Sequence, residues 1–182
     1  MFPRYGGNDG WDHDTCTRDL IKTNVHSLPE ILKLFGYTSI FIGSENEEAG
    51  GLDDMAANLL YFDSVFCQEK ILSLINEDQL RGYSNTLSDH QLMQAVINFL
   101  QRNEPAKKFF LSAYNLGTHA WFDSPEEGKK YKEGENPIYN VVFNFDDAFG
   151  KFWEYFLQSP YSNNTIVILT ADHCACCTTN QK

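Results

Sequence analysis

The chain predicts an α/β domain, a mostly parallel sheet with helices on both faces. Two observations carry that expectation. Segments with helical periodicity alternate with short β-branched and aromatic runs at 37–42 (YTSIFI), 109–114 (FFLSAY) and 166–169 (IVIL). Strands buried on both faces read as such near-continuous apolar runs, and they belong to sheets covered by helices. The composition agrees: of 182 residues, 42% are hydrophobic, 14% aromatic and 21% charged, which is ample core material. It excludes a collagen-like chain, a low-complexity linker and an acidic disordered tail.

The first 25 residues are rich in Gly, Asp, Asn and Thr without periodicity and predict a surface loop. Ser27-Leu28-Pro29-Glu30 starts a helix, with Ser27 as cap, Glu30 three residues on and Pro29 in the first turn. Ile31, Leu32, Leu34 and Phe35 are its apolar residues, and Gly36 ends it. The run 37–42 is then a buried strand, broken by Gly43-Ser44. A weaker helix is expected from Leu52 to Leu60 and a short strand at 62–66.

Ser88-Asp89-His90-Gln91 is a second capping box. The helix it opens carries Leu92, Ala95, Val96, Phe99 and Leu100 at i, i+3, i+4 spacing, and Pro105 lies beyond its end. The run 109–114 is a strand. The longest helix covers Pro137 to Gln158, with a wide stripe of Ile138, Val141, Val142, Phe145, Phe149, Phe152, Trp153 and Phe156. That stripe is core. Asn163-Asn164 makes a turn, and 166–169 is the last strand.

Charge and cysteine content narrow the function. The net charge is −11, and Lys and Arg cluster nowhere beyond Lys107-Lys108 and Lys129-Lys130. A nucleic-acid partner is therefore disfavoured, because such binding rests on clustered cations, and so is adhesion to anionic lipid through a basic patch. An anionic substrate stays open, since a bound cation reverses the local field. No apolar run approaches the roughly 20 residues of a membrane span, and no signal peptide is visible. Five cysteines, three of them in the last nine residues, do not form a spread disulfide framework.

Two strand ends carry the chemistry. In the first, 109–114 runs into Asn115-Leu116-Gly117-Thr118-His119 and presents His119. In the second, 166–169 runs through Thr170-Ala171 into adjacent Asp172 and His173. Open parallel sheets bind ligands beyond the carboxyl ends of their strands. A carboxylate and a neutral imidazole on one sharp turn suit zinc or manganese. The plainer alternatives are a cap-and-turn pair for Asp172-His173 and a hydrogen-bonded loop residue for His119. Asp146-Asp147 are most simply solvated, or one caps a loop; Glu45-Glu47-Glu48 and Asp53-Asp54 read as solvated loop acids. Cys174, Cys176 and Cys177 beside His173 are a poorly packed terminal stretch or, less simply, a zinc knuckle. Asn163-Asn164-Thr165 fits a glycosylation sequon.

Taken in order, 27–33 with 36–39, 87–89, 109–111 with 117–119, and 164–173 resemble the alkaline-phosphatase superfamily. The nearest branch is the sulfatase-like membrane transferases: lipoteichoic acid synthases and other phosphoglycerol transferases, with phosphoethanolamine transferases as cousins. The resemblance implies that Asp172 and His173 are metal ligands and that His119 meets a phosphoryl or leaving-group oxygen. It implies a divalent metal, manganese or zinc, with magnesium or calcium as alternatives. The implied reaction moves a phosphoglycerol-type or phosphoethanolamine-type headgroup from a phospholipid to a cell-envelope acceptor, through a phospho-threonine or phospho-serine enzyme. A sulfatase or phosphodiesterase of the same superfamily is the enzymatic alternative; a non-catalytic binding module retaining the fold is the other.

The family nucleophile and an acidic metal ligand precede the segment resembling Phe2-Pro3-Arg4-Tyr5, so both would fall before Met1. Thr15 and Thr17 lie on the wrong side of that segment. The expectation is a partial catalytic domain over 1–182: a loop at 1–25, an α/β core at 26–173 and a tail at 174–182. Its parent would be membrane-anchored, with the catalytic domain outside the cytoplasm and Met1 an internal methionine or a fragment start.

Overall fold

A computed structural model describes residues 26–44, 52–83, 86–119, 123–125 and 128–171. Three parallel strands make its sheet: β1 (Thr38–Gly43), β2 (Ser64–Phe66) and β3 (Phe109–Tyr114), in the order β2-β1-β3. The central strand pairs with β3 from Thr38↔Phe109 to Gly43↔Tyr114 and with β2 from Ile40↔Ser64 to Ile42↔Phe66. The helices are α1 (Leu28–Lys33), α2 (Leu52–Asp54), α3 (Gln68–Ile75), α4 (Asp89–Arg102) and α5 (Pro137–Gln158). A π-helical turn (Met55–Leu59) continues α2, and a 3₁₀ turn (Pro160–Asn163) follows α5.

The pleat sorts the central strand. Ile40 and Ile42 point into the main core with Ile71 of α3, Leu92, Ala95, Val96 and Leu100 of α4, and Ala148, Phe152 and Phe156 of α5. Phe41 points the other way, onto Leu52, Ala56 and Phe62. Helical segments therefore cover both faces, as the paired apolar runs require. The Tyr161 hydroxyl lies 3.0 and 2.8 Å from the Leu100 and Asn103 carbonyls and ties the 3₁₀ turn to the end of α4.

Local signals act as their chemistry dictates. Ser27 and Glu30 close one capping box, and Ser88 and Gln91 close the other. Gly36 has φ +78°; its N–H bonds the Lys33 carbonyl, and the Tyr37 N–H bonds that of Leu32. This six-to-one closure needs a residue in the left-handed region. Asp63 accepts the Ser39 N–H and hydroxyl at 2.9 Å each and the Lys33 ammonium at 2.6 Å, so it joins α1, β1 and the start of β2. Lys33 first, then the Ser39 N–H, hold its carboxyl below the usual range against a smaller burial effect.

One expectation changes. The run 166–169 joins no strand ladder: Val167 packs on the main core, while Ile166, Ile168 and Leu169 are exposed. An all-apolar run needs cover on both faces, and here one side has it. Most of the apolar surface of α1 and its C-terminal turn is likewise exposed, at Leu28, Ile31, Leu34 and Phe35. Helix α3 is not among the sequence-based expectations: it forms without a side-chain N-cap, so the start signal that marks α1 and α4 is missing there. Residues 1–25 and the 174–182 tail, with its three cysteines, lie outside the described residues, as do Glu45, Glu47 and Glu48.

Leu92 is fully buried between α4 and the sheet. Leu92→Ala should lower the free energy of unfolding by about 2–5 kcal/mol in urea titrations followed by circular dichroism. A loss below about 1 kcal/mol would show that this core is not packed as described.

Candidate functional site

The carboxyl ends of β1 and β3 lie side by side. The Ser44 N–H donates to the Tyr114 carbonyl at 3.0 Å, and the Gln68 amide donates to the Ser44 carbonyl at 3.3 Å. Beyond Tyr114 the chain turns through Asn115-Leu116-Gly117-Thr118 to His119, and the His119 N–H closes the turn on the Leu116 carbonyl at 2.9 Å. His119 is exposed at this sheet edge. That is the position expected for a residue meeting a ligand in an open parallel sheet.

Against the turn sits Asp89, in the first turn of α4 and only 1% exposed. Its Oδ1 accepts the Asn115 amide at 3.1 Å, and the same amide lies 3.2 Å from the Thr118 hydroxyl. Oδ2 has no hydrogen-bond partner among the described residues. Gly117 lies so close that a Cβ there would overlap the Asp89 carboxylate. Burial pushes the Asp89 carboxyl up; the Asn115 bond, the His90 charge, Asn144 and the Gly117 N–H oppose that without overcoming it. Because the folded protein holds this proton more tightly than the unfolded chain, ionising Asp89 costs stability as pH rises above the unfolded value of about 3.9.

Next along α4, His90 Nε2 lies 2.8 Å from Asp147 Oδ2 on α5. Asp147 also pairs with Lys129 at 2.9 Å and Lys151 at 3.3 Å. It is thus neither simply solvated nor a cap: three cationic or protonatable groups converge on one carboxylate. Lys129 first, then His90, with a smaller share from Lys151, hold it far below the usual carboxylate range against partial burial. Asp146 beside it is exposed, as expected.

One turn and two turns N-terminal to Ala148, buried Asn144 and Asn140 hold the loop before α5. Asn144 accepts the Lys129 N–H at 3.2 Å. Asn140 accepts the Tyr131 N–H at 3.0 Å and donates to Asp123 at 3.1 Å and the Gly134 carbonyl at 2.9 Å. Burial would raise the Asp123 carboxyl, but Asn140, the Ser124 N–H and Lys130 together bring it below the usual range.

Of the residues expected to carry chemistry, His119 is thus at the edge of the sheet, while Asp172 and His173 lie outside the described residues. Their donor chemistry, one carboxylate and one imidazole, fits a divalent ion. Among the described residues no three His, Cys, Asp or Glu side chains gather to hold a metal. No helix there is long and apolar enough to cross a membrane. Sequence reasoning used Asp89 only as a helix start and passed over Asn115 and Asn144. An acid three residues before the apolar stripe of α4 reads as part of a helix start until its burial is seen.

Two solved structures share this open parallel sheet with helical cover. One is an alkaline phosphatase superfamily protein from Vibrio parahaemolyticus (TM-score 0.62, 20% identity), covering 78% of this chain and 35% of that one. The other is the lipoteichoic acid synthase LtaP from Listeria monocytogenes (TM-score 0.65, 15% identity), covering 79% and 36%. The chain belongs to the sulfatase family, whose profile matches residues 4–179. It is also similar to phosphoglycerol transferase I from two Escherichia coli strains, SMS-3-5 / SECEC and 55989 / EAEC, each 24% identical over 153 residues and 81% of this chain. It spans 20% of the length of those relatives.

Asp147 gives a pH test. Its folded-state affinity for protons is depressed, so its stabilisation is present above about pH 4, the unfolded value, and is lost as pH falls below it. Asp147→Asn should lower the urea midpoint at pH 7, with a deficit that shrinks as pH drops from about 4 toward 2. A deficit constant over that span would refute the ion-pair account.

Proposed function

We propose that this chain is the central part of a sulfatase-like catalytic domain that transfers a phosphoglycerol-type headgroup from a phospholipid to a cell-envelope acceptor. The observation that carries the reading is the sulfatase profile over 4–179, joined to likeness with phosphoglycerol transferases along 81% of the chain. The placing of His119 at the carboxyl edge of the sheet supports it. In this reading the domain faces outside the cytoplasm in a membrane-anchored parent, and residues 26–173 form its α/β core.

Asp172 and His173 would hold a divalent ion, manganese or zinc before magnesium or calcium. Such an ion, when bound, offsets charge on the phosphoryl oxygens and lowers the pKa of an attacking hydroxyl. His119 donates a hydrogen bond, or a proton from its imidazole, to a phosphoryl or leaving-group oxygen. The strand and its closed turn bring His119 to the sheet edge, and in this reading that placement readies the donor for substrate.

Calorimetric titration with Mn²⁺ or Zn²⁺ tests the assignment in the 182-residue chain. Asp172→Ala and His173→Ala should each weaken metal binding by about tenfold or more, since even residues that only support ligands are worth roughly 10–100-fold. His119→Ala should leave metal affinity alone and weaken glycerol phosphate binding. Metal binding that survives both ligand variants, or that fails only when Cys174, Cys176 and Cys177 are changed to Ser, would reject the site in favour of a cysteine knuckle.

A further inference from the structure

The side chain of Asp89 stands out because its burial brings α4 little. The cap of that helix is already complete: Ser88 accepts the Gln91 N–H at 3.2 Å, and Gln91 Oε1 accepts the Ser88 N–H at 3.1 Å. An acid in the first helical turn gains its modest dipole stabilisation without leaving water. Asp89 is instead 1% exposed, with one oxygen lacking a hydrogen-bond partner among the described residues. Burying a carboxylate so incompletely satisfied is costly, and an apolar side chain would fill the space at lower cost.

Its contacts point to what it holds. Oδ1 takes the Asn115 amide, which also lies against the Thr118 hydroxyl. The carboxylate packs on Gly117, where the backbone comes too close for any side chain. The same turn is closed by the His119 N–H on the Leu116 carbonyl. One buried carboxylate therefore touches residues 115 and 117 of the five-residue segment that ends in His119.

We propose that Asp89 is a positioning residue for His119: through Asn115 and Gly117 it sets the course of the 115–118 turn and so the place of the imidazole at the sheet edge. This rests on the role assigned to His119 above. Asp89 itself touches no substrate. Its firm anchorage comes from α4, which is held on the core by Leu92, Ala95, Val96 and Leu100. The turn is thereby referred to the rigid part of the fold and not to solvent-facing loop contacts.

Amide hydrogen exchange and ring resonances of the 182-residue chain test this. In Asp89→Ala, protection of the His119 N–H should fall by about tenfold or more, and the His119 ring resonances should shift, while the Leu92 and Phe152 amides keep theirs. Asp89→Asn keeps an acceptor for Asn115 and should restore most of that protection. Asn115→Ala, which leaves α4 intact, should reproduce the loss; if Asp89→Ala does not fold, this variant decides. Unchanged His119 protection and ring shifts in Asn115→Ala would overturn the proposal, as would a uniform loss across Leu92, Phe152 and His119 in Asp89→Ala. Glycerol phosphate titration of His119→Ala separately judges the role of the ring. If that variant binds like wild type, the functional reading fails while the Asp89 coupling is still read from exchange.

Discussion

The pairing of β1 with β3 carries the other features of the domain. Six residues of each strand run in register, from Thr38↔Phe109 to Gly43↔Tyr114. Parallel pairing sets both carboxyl ends at the same edge, so Ser44 and Asn115 emerge side by side. It also presents Ile40 and Ile42 to one face and Phe41 to the other, which demands helices on both. The sheet edge, the two hydrophobic clusters and the direction of the His119 turn all follow from that one register.

Across the domain the acids fall into two kinds. Asp63 and Asp147 are partly exposed acids with cationic partners, Lys33 for one and Lys129, His90 and Lys151 for the other. Their charges are matched and their proton affinities depressed. Asp89 is buried, its Oδ1 accepts the Asn115 amide, and burial raises its proton affinity. Matched acids brace a surface at little cost; a poorly matched buried acid needs a reason, and the turn leading to His119 supplies one.

The helices opening at Ser27, Ser88 and Pro137 were legible because their signals are local. A capping box, a 3.6-residue stripe and a closing glycine act within one turn, so α1, α4 and α5 appear close to their expected bounds. The run 109–114 matched because its pairing surface lies within the described sheet. The run 166–169 did not become a strand, although its composition is as strand-like, because pairing depends on a neighbour that composition does not name. Asp147 was misread for the same reason: on the helix alone it is a surface acid, and its partners Lys129 and His90 come from segments 18 and 57 residues away.

Amino-acid order alone was enough to establish the α/β class, the starts of α1, α4 and α5 and the arrival of His119 at the end of an apolar strand, since each depends on spacing within a few residues. Folding in three dimensions decided which acids are matched and which is buried, and it brought Asp89 of α4 against Gly117 of the β3 turn. Such contacts join groups far apart in the chain, where burial and distance, unlike periodicity, leave no mark on the string of residues.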